Sequence, residues 1–312
     1  MTDKVSRSSV PAWLVIVGVG YQWFYNGANF LAFKVGGDAF HPLMLAALRF
    51  GAAALLLLPF AAVRWRRNAP TLREIGASSL LGIVMLVGGQ TLAIWGTHFL
   101  PPSVASVFGS AAPLFLALFA WLVFRQPLSR REMGGVALGF AGLMLMGWMS
   151  SHSGGFSVAG AALMLSASAL WAAGSLGSTR IKLPDDPVLD LAMQLLSAAA
   201  VLGIAVTVSP IAGETHFAQV APKAWGALAF LVIASTVIGY AVFLAINRRV
   251  SPTLANTYNY VAPVIALGLS ALLLGEPLSW GKMAAAGVVL AGVALMIKRR
   301  EPKNNQAPGA KA

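Results

Sequence analysis

Seven stretches of this 312-residue chain contain no Asp, Glu, Lys or Arg: 8–33, 75–124, 133–179, 191–213, 224–247, 250–275 and 283–297. No other feature limits the fold as much. Only 10% of the residues are charged, where a soluble domain has about 25%. A helix needs about 20 apolar residues to cross the hydrocarbon. The two longest runs are therefore double spans, broken near His98–Pro102 and Ser150–Gly155. Pro42–Val63 adds a span with a single internal charge, Arg49. The expected helices are 12–33, 42–63, 75–97, 102–124, 131–149, 156–180, 187–209, 223–247, 252–274 and 279–297. The reading is an all-α polytopic membrane protein with ten transmembrane helices.

The chain also repeats itself. Leu100–Met146 lies over Val250–Met296 without a gap, with 13 identities in 47 positions, among them Pro102/Pro252, Pro113/Pro263, Pro127/Pro277 and Gly142/Gly292. Unrelated apolar stretches of this composition match at roughly one position in ten. The first and sixth spans agree at a displacement of 148, with Trp23/Trp171 and Lys34/Lys182. The expected units are a first five-helix repeat over 1–149, a second over 150–298, and a disordered basic tail over 299–312. Five crossings is an odd number, so the second repeat must be inverted relative to the first, an arrangement found in transporters.

The basic residues orient the chain. With both termini and alternate loops placed in the cytoplasm, 18 of the 22 Lys and Arg fall inside, and an odd helix count would break this bias. The same rule accounts for the net charge of +12, so no nucleic-acid partner is expected. Lys4 and Arg7 before a long apolar run resemble a signal peptide, but the run is too long and lacks a small-residue cleavage site. An uncleaved first span is expected. The absence of cysteine excludes disulfides, Cys-ligated metal and thiol chemistry. The spans hold no Ser/His, paired-Asp or metal-ligand constellation, so neither enzyme activity nor a cofactor is expected. No charge ring or carbonyl filter suggests a channel. The four histidines lie near outer-side segments, as solvated loop residues or as a pH sensor.

Two segments carry a family resemblance: Pro102-Ser-Val-Ala with Ala112-Pro113 and Gln126-Pro127-Leu128-Ser129, and Pro252-Thr-Leu-Ala with Ala262-Pro263 and Gly275-Glu276-Pro277-Leu278-Ser279. Together with Ala46-Ala47-Leu48-Arg49-Phe50, they resemble the drug/metabolite transporter superfamily, EamA type. The first half departs from the pattern, with Arg125-Gln126 where the family has Gly-Glu. The amide- and aromatic-rich spans are most similar to the aromatic amino-acid exporters of the YddG type. The resemblance implies a multi-pass protein of the bacterial inner membrane. It also implies a midplane cavity opened alternately to each side and a small-molecule substrate. The cargo reading is a neutral or zwitterionic metabolite, an amino acid in particular. A lipophilic drug or a sugar in the same fold is the alternative. The surrounding partner is the lipid bilayer, and a monomer is compatible with the sequence.

Polar groups inside a bilayer must find a partner or face a cavity. Gln22, Asn26 and Asn29 form one stripe of the first span. The ninth span carries Asn256, Asn259, Tyr260 and Pro263; its repeat equivalents Ser106, Gly109, Ser110 and Pro113 lie in the fourth. A proline frees the carbonyl four residues before it, so Pro113 and Pro263 are candidate hinges at symmetry-related breaks. Gln90 and Tyr240 occupy equivalent positions after Gly89 and Gly239. Ser168, Trp171, Ser175 and Ser178 share a face of the sixth span, where Trp171 could stack on a flat ligand or pack between helices. These residues line a cavity or serve as interhelical hydrogen bonds. Arg49 either contacts a substrate carboxylate or snorkels and caps carbonyls. All eight acids considered, Asp190 included, are expected in loops or at span ends, which disfavours strongly cationic cargo.

Overall fold

A computed structural model describes residues 12–152, 156–242 and 257–296. Among the described residues every regular element is helical. The long helices are α1 (Ala12–Gly37), α2 (Pro42–Trp65), α3 (Leu72–Phe99), α4 (Pro102–Gly109 continued by Ala112–Phe124) and α5 (Arg130–His152). The second set is α6 (Val158–Ser178), α7 (Pro187–Thr207), α8 (Pro222–Val242), α9 (Tyr258–Leu274) and α10 (Trp280–Leu295). Short helical pieces at Ile211–Glu214 and Phe217–Gln219 join α7 to α8.

Seven of these helices are long and apolar enough to cross a bilayer, and α9 and α10 are shorter apolar helices. The first helix is 26 residues long but is not among the seven, its apolarity diluted by Gln22, Asn26, Asn29 and Lys34. The start of the expected ninth span, including Asn256, lies outside the described residues, as does the tail over 299–312. Several helices run past the expected bounds, α3 beginning at Leu72 and α1 ending at Gly37. Helix starts follow local chemistry. Thr71 and Glu74 form a reciprocal capping box before α3, and Asp186 caps α7 ahead of Pro187.

The packing respects the repeat. Helix α1 packs on α9 as α6 packs on α4, and α3 packs on α6 as α8 packs on α1. Helix α2 packs on α7, and α5 on α10. Each pairing maps onto another, or onto itself, when the first five helices are exchanged with the last five. Backbone details repeat as well. Wider π-helical turns occupy Gly82–Gln90 in α3 and Phe230–Ile238 in α8, 148 residues apart. Helices α4 and α9 both end in a left-handed residue, Arg125 (φ 52°) and Gly275 (φ 66°). Glycine accepts that conformation freely, whereas arginine is strained by it.

The expected symmetric hinges are not alike. Before Pro113 the helix is interrupted between Gly109 and Ala112. Pro263 instead sits inside an unbroken α9. One physical difference lies at Gly109, where an added Cβ would stand 2.7 Å from the Phe30 ring. The α4 backbone is thus pressed against α1 at the break.

Candidate functional site

Eight helices, α1–α4 and α6–α9, surround a cavity of ≈ 460 Å³. The α5–α10 pair lies outside it. Its lining starts deep in the bundle at Phe33, Arg49, Phe50 and Ala93. It reaches Ser178, Leu183 and Asp190, at the end that carries the α6–α7 connection.

The deep end is organised by Arg49, which is only 4% exposed. Its Nε donates to Thr236 Oγ1, one terminal nitrogen to Gln90 Oε1 and the other to Ser235 Oγ, each at 3.1 Å. The Phe33 and Phe50 rings lie 5.5 and 5.2 Å from the guanidinium carbon. Both hydroxyls lie on the π-helical turn of α8, where the Thr236 hydroxyl also donates to the Leu231 carbonyl (2.8 Å). Arg49 therefore neither snorkels nor caps carbonyls. These three acceptors are all neutral, and it forms no ion pair among the described residues.

The amide stripe of α1 divides. Asn26 and Asn29 line the cavity, whereas Gln22 is buried away from it. Asn26 donates to the Gln22 carbonyl (2.8 Å). Asn29 is 7% exposed, and its Oδ1 has no hydrogen-bond partner. Ser106, Ser110, Trp171, Ser175, Tyr240, Asn259 and Pro263 also line the cavity. Two of these hydroxyls are already engaged within their own helix, Ser106 with the Ser103 carbonyl and Ser110 with the Val107 carbonyl, both at 2.7 Å. Tyr260 is not in the lining; its hydroxyl donates to the Val293 carbonyl of α10 (3.1 Å). Pro113 is outside the lining too, although its neighbour Ala112 is within it. At the α4 break Ser168 donates to the Gly109 carbonyl, which Pro113 frees (3.3 Å), and to the Phe108 carbonyl (3.1 Å), which also accepts from the Ala111 N–H.

Asp190 lies at a span end, as expected, in the first turn of α7. That position nonetheless brings it to the cavity, which the sequence did not show. Asp190 is 9% exposed and accepts from Ser78 of α3 at 2.7 Å. Its distance from the helix end is short in sequence, but α3 and the α6–α7 connection cover it. Gln194, Ser235, Thr236, Tyr25 and Tyr258 were also absent from the sequence-derived site. One signal was available for Gln194. Superposing Pro42 on Pro187, the N-terminal prolines of α2 and α7, sets Arg49 on Gln194 and Leu45 on Asp190.

At the α6–α7 end, two ion pairs join the halves: Arg64–Asp186 at 3.2 Å and Lys182–Glu74 at 2.9 Å. The hydrogen bond to Glu74 holds the Lys182 ammonium above its usual range. At the opposite end Lys34, the repeat mate of Lys182, pairs with Asp38 (2.9 Å) and donates to the His98 carbonyl (3.2 Å), all within the first half.

Two five-helix halves of opposite orientation around a polar-lined cavity define a polytopic membrane transporter, not an enzyme. The chain belongs to the EamA-like transporter family, which matches residues 13–148 and again 158–298. It is 34% identical over 291 residues to the Escherichia coli (strain K12) "Uncharacterized inner membrane transporter YedA", covering 93% of this chain and 92% of that one. It is 26% identical over 275 residues to a Salmonella typhimurium "Probable amino-acid metabolite efflux pump", covering 86% and 89%. A solved crystal structure shares the fold, with a TM-score of 0.61 at 18% identity over 91% of this chain and 95% of its own.

Proposed function

We propose that this protein exports small neutral or zwitterionic metabolites, amino acids including aromatic ones, by alternating access through the cavity between its repeats. In this reading the chain lies in a bacterial inner membrane with both termini in the cytoplasm. The cavity mouth beside Ser178 and Leu183 then faces inward. The observation that carries the cargo class is Arg49, a buried guanidinium on the cavity wall whose three acceptors, Gln90, Ser235 and Thr236, are all neutral. A charge so placed is expensive in a membrane unless an anion joins it. A cargo carboxylate supplies that anion and accepts charge-assisted hydrogen bonds.

Asn29 fits the other half of the head group. Its unpartnered Oδ1 accepts from an ammonium. Tyr25, Trp171, Tyr240 and Tyr258 offer the cargo's side chain aromatic surface with polar edges. The relatives, one an inner membrane transporter and the other a probable amino-acid metabolite efflux pump, support this reading. The test is counterflow of labelled amino acids in proteoliposomes. Saturable exchange that falls at least tenfold in Arg49→Gln is expected. An absence of saturable exchange for every amino acid would refute the cargo assignment.

A further inference from the structure

The two halves act as controls for each other. At the third residue after the N-terminal proline, α2 has Leu45 and α7 has Asp190. Leu45 is fully buried in the apolar core. The scaffold therefore does not need a carboxylate at this position, yet α7 buries one at the cavity wall, where it accepts from the Ser78 hydroxyl. Burying a carboxylate costs several kcal/mol, on the order of what one hydroxyl does not repay. Arg64 pairs with Asp186 and Lys182 with Glu74, and Asp190 is in no ion pair among the described residues. The charge of Asp190 is thus left for whatever enters the cavity.

Depth shows what that is. Arg49 is seven residues from the start of α2 and Asp190 three from the start of α7, and these helices start on opposite faces. At about 1.5 Å per residue in a slab of about 30 Å, the two charges are separated by roughly 15 Å along the membrane normal. One amino-acid head group cannot span that distance.

We infer that Asp190 is a second binding station, which takes the organic ammonium of the cargo at the cavity mouth before its carboxylate reaches Arg49. This rests on the reading of the cavity as the cargo path. It makes a protonated amine sufficient for capture at the mouth and a carboxylate necessary only deeper in. An entering molecule with neither group finds no charge complement at either station.

The probes are phenethylamine, which has the ammonium alone, and N-acetyl-L-phenylalanine, which has the carboxylate alone. Binding is measured on the purified full chain by titration calorimetry. Asp190→Asn keeps an acceptor for Ser78 and should weaken phenethylamine at least tenfold, with N-acetyl-L-phenylalanine unchanged. Asp190→Leu installs the residue of the other repeat, so it should remain folded by thermal unfolding and show the same selective loss. Wild-type binding of phenethylamine by Asp190→Asn, or no phenethylamine binding by the unaltered protein, would overturn the inference. An absence of L-phenylalanine counterflow alongside Asp190-dependent phenethylamine binding would instead defeat the amino-acid reading and leave this station standing.

Discussion

Two alanine substitutions in α10, five residues apart, should shift stability in opposite directions. Apolar side chains gain nothing by leaving lipid for one another, so membrane helices associate by close van der Waals packing of small residues. The α5–α10 pair shows this packing, with Gly135 and Gly139 of α5 against Gly292 of α10 and Gly142 against Val289. A Cβ at position 292 would run into the Gly139 backbone nitrogen and stand 2.7 Å from the Gly135 carbonyl oxygen. Both obstacles are backbone, so no rotamer relieves them and the helices must move apart. Overpacking of this kind costs about 1–3 kcal/mol. Because a whole helix pair must shift, the upper half of that range applies. The helix preference of alanine over glycine returns about 1 kcal/mol. Gly292→Ala should therefore lose about 1–2 kcal/mol net. Gly287, in the same helix, has open space where its Cβ would stand. Gly287→Ala should gain up to about 1 kcal/mol from helix preference alone. The measurement is unfolding of purified protein in mixed micelles as denaturing detergent is titrated. Gly292→Ala at least as stable as Gly287→Ala would refute the packing argument.

Arg125→Gly should stabilise the protein by about 0.5–1 kcal/mol, since Arg125 holds the left-handed conformation that Gly275 holds in the other half; a lower unfolding midpoint would contradict this. Ser168→Ala should destabilise by about 1 kcal/mol, because it removes the side-chain donor to the Gly109 carbonyl at the α4 break, while the Phe108 carbonyl keeps the Ala111 N–H. Ser178→Ala, which removes a hydroxyl bonded to the Ser175 carbonyl of its own helix, should be near neutral in the same assay.

The frame was legible because it rests on one-dimensional signals. Charge-free runs mark spans, and the displacement of about 150 marks the exchange of halves. The α3–α6 and α8–α1 packing then follows that displacement. The site was legible where polar residues stand out against an apolar background, as at Asn26, Asn29, Gln90 and Asn259. It was less so where polarity is ordinary. Ser235 and Thr236 read as two isolated hydroxyls, and only the π-helical turn of α8 shows that they face Arg49. Asp190 stands at a span end as expected, but its burial and its place on the cavity wall depend on the neighbouring α3, which supplies Ser78, and sequence distance from a helix end carries no such information. Tyr260 and Gln22 were overread, since a polar residue on a plausible helix face can equally point at another helix.

Alternating access in inverted repeats exchanges the conformations of the halves, so contacts that close one end should reappear at equivalent positions when the other end closes. On the alternating-access reading proposed above, closure at the Arg49 end would rest on its three hydrogen bonds, to Gln90, Ser235 and Thr236. The repeat mate of Arg49 is Gln194, and Tyr240 stands where Gln90 does. The equivalents of Ser235 and Thr236 fall within Met85–Gly88, which offers no polar side chain. The opposite closure thus retains about one of three polar contacts. At about 1 kcal/mol per bond, the deficit is about 2 kcal/mol. That is roughly 30-fold in favour of the state closed at Arg49. Arg49→Gln reduces this closure to a single amide contact, so the populations should become comparable. The chain has no cysteine, which makes single labelling sites clean. Ala93→Cys lines the closed end of the cavity. A membrane-impermeant maleimide added from the Phe99 end of α3 should label it about tenfold faster in the Arg49→Gln background. Equal rates in the two backgrounds, with unfolding midpoints unchanged, would mean that Arg49 does not set the balance between the states.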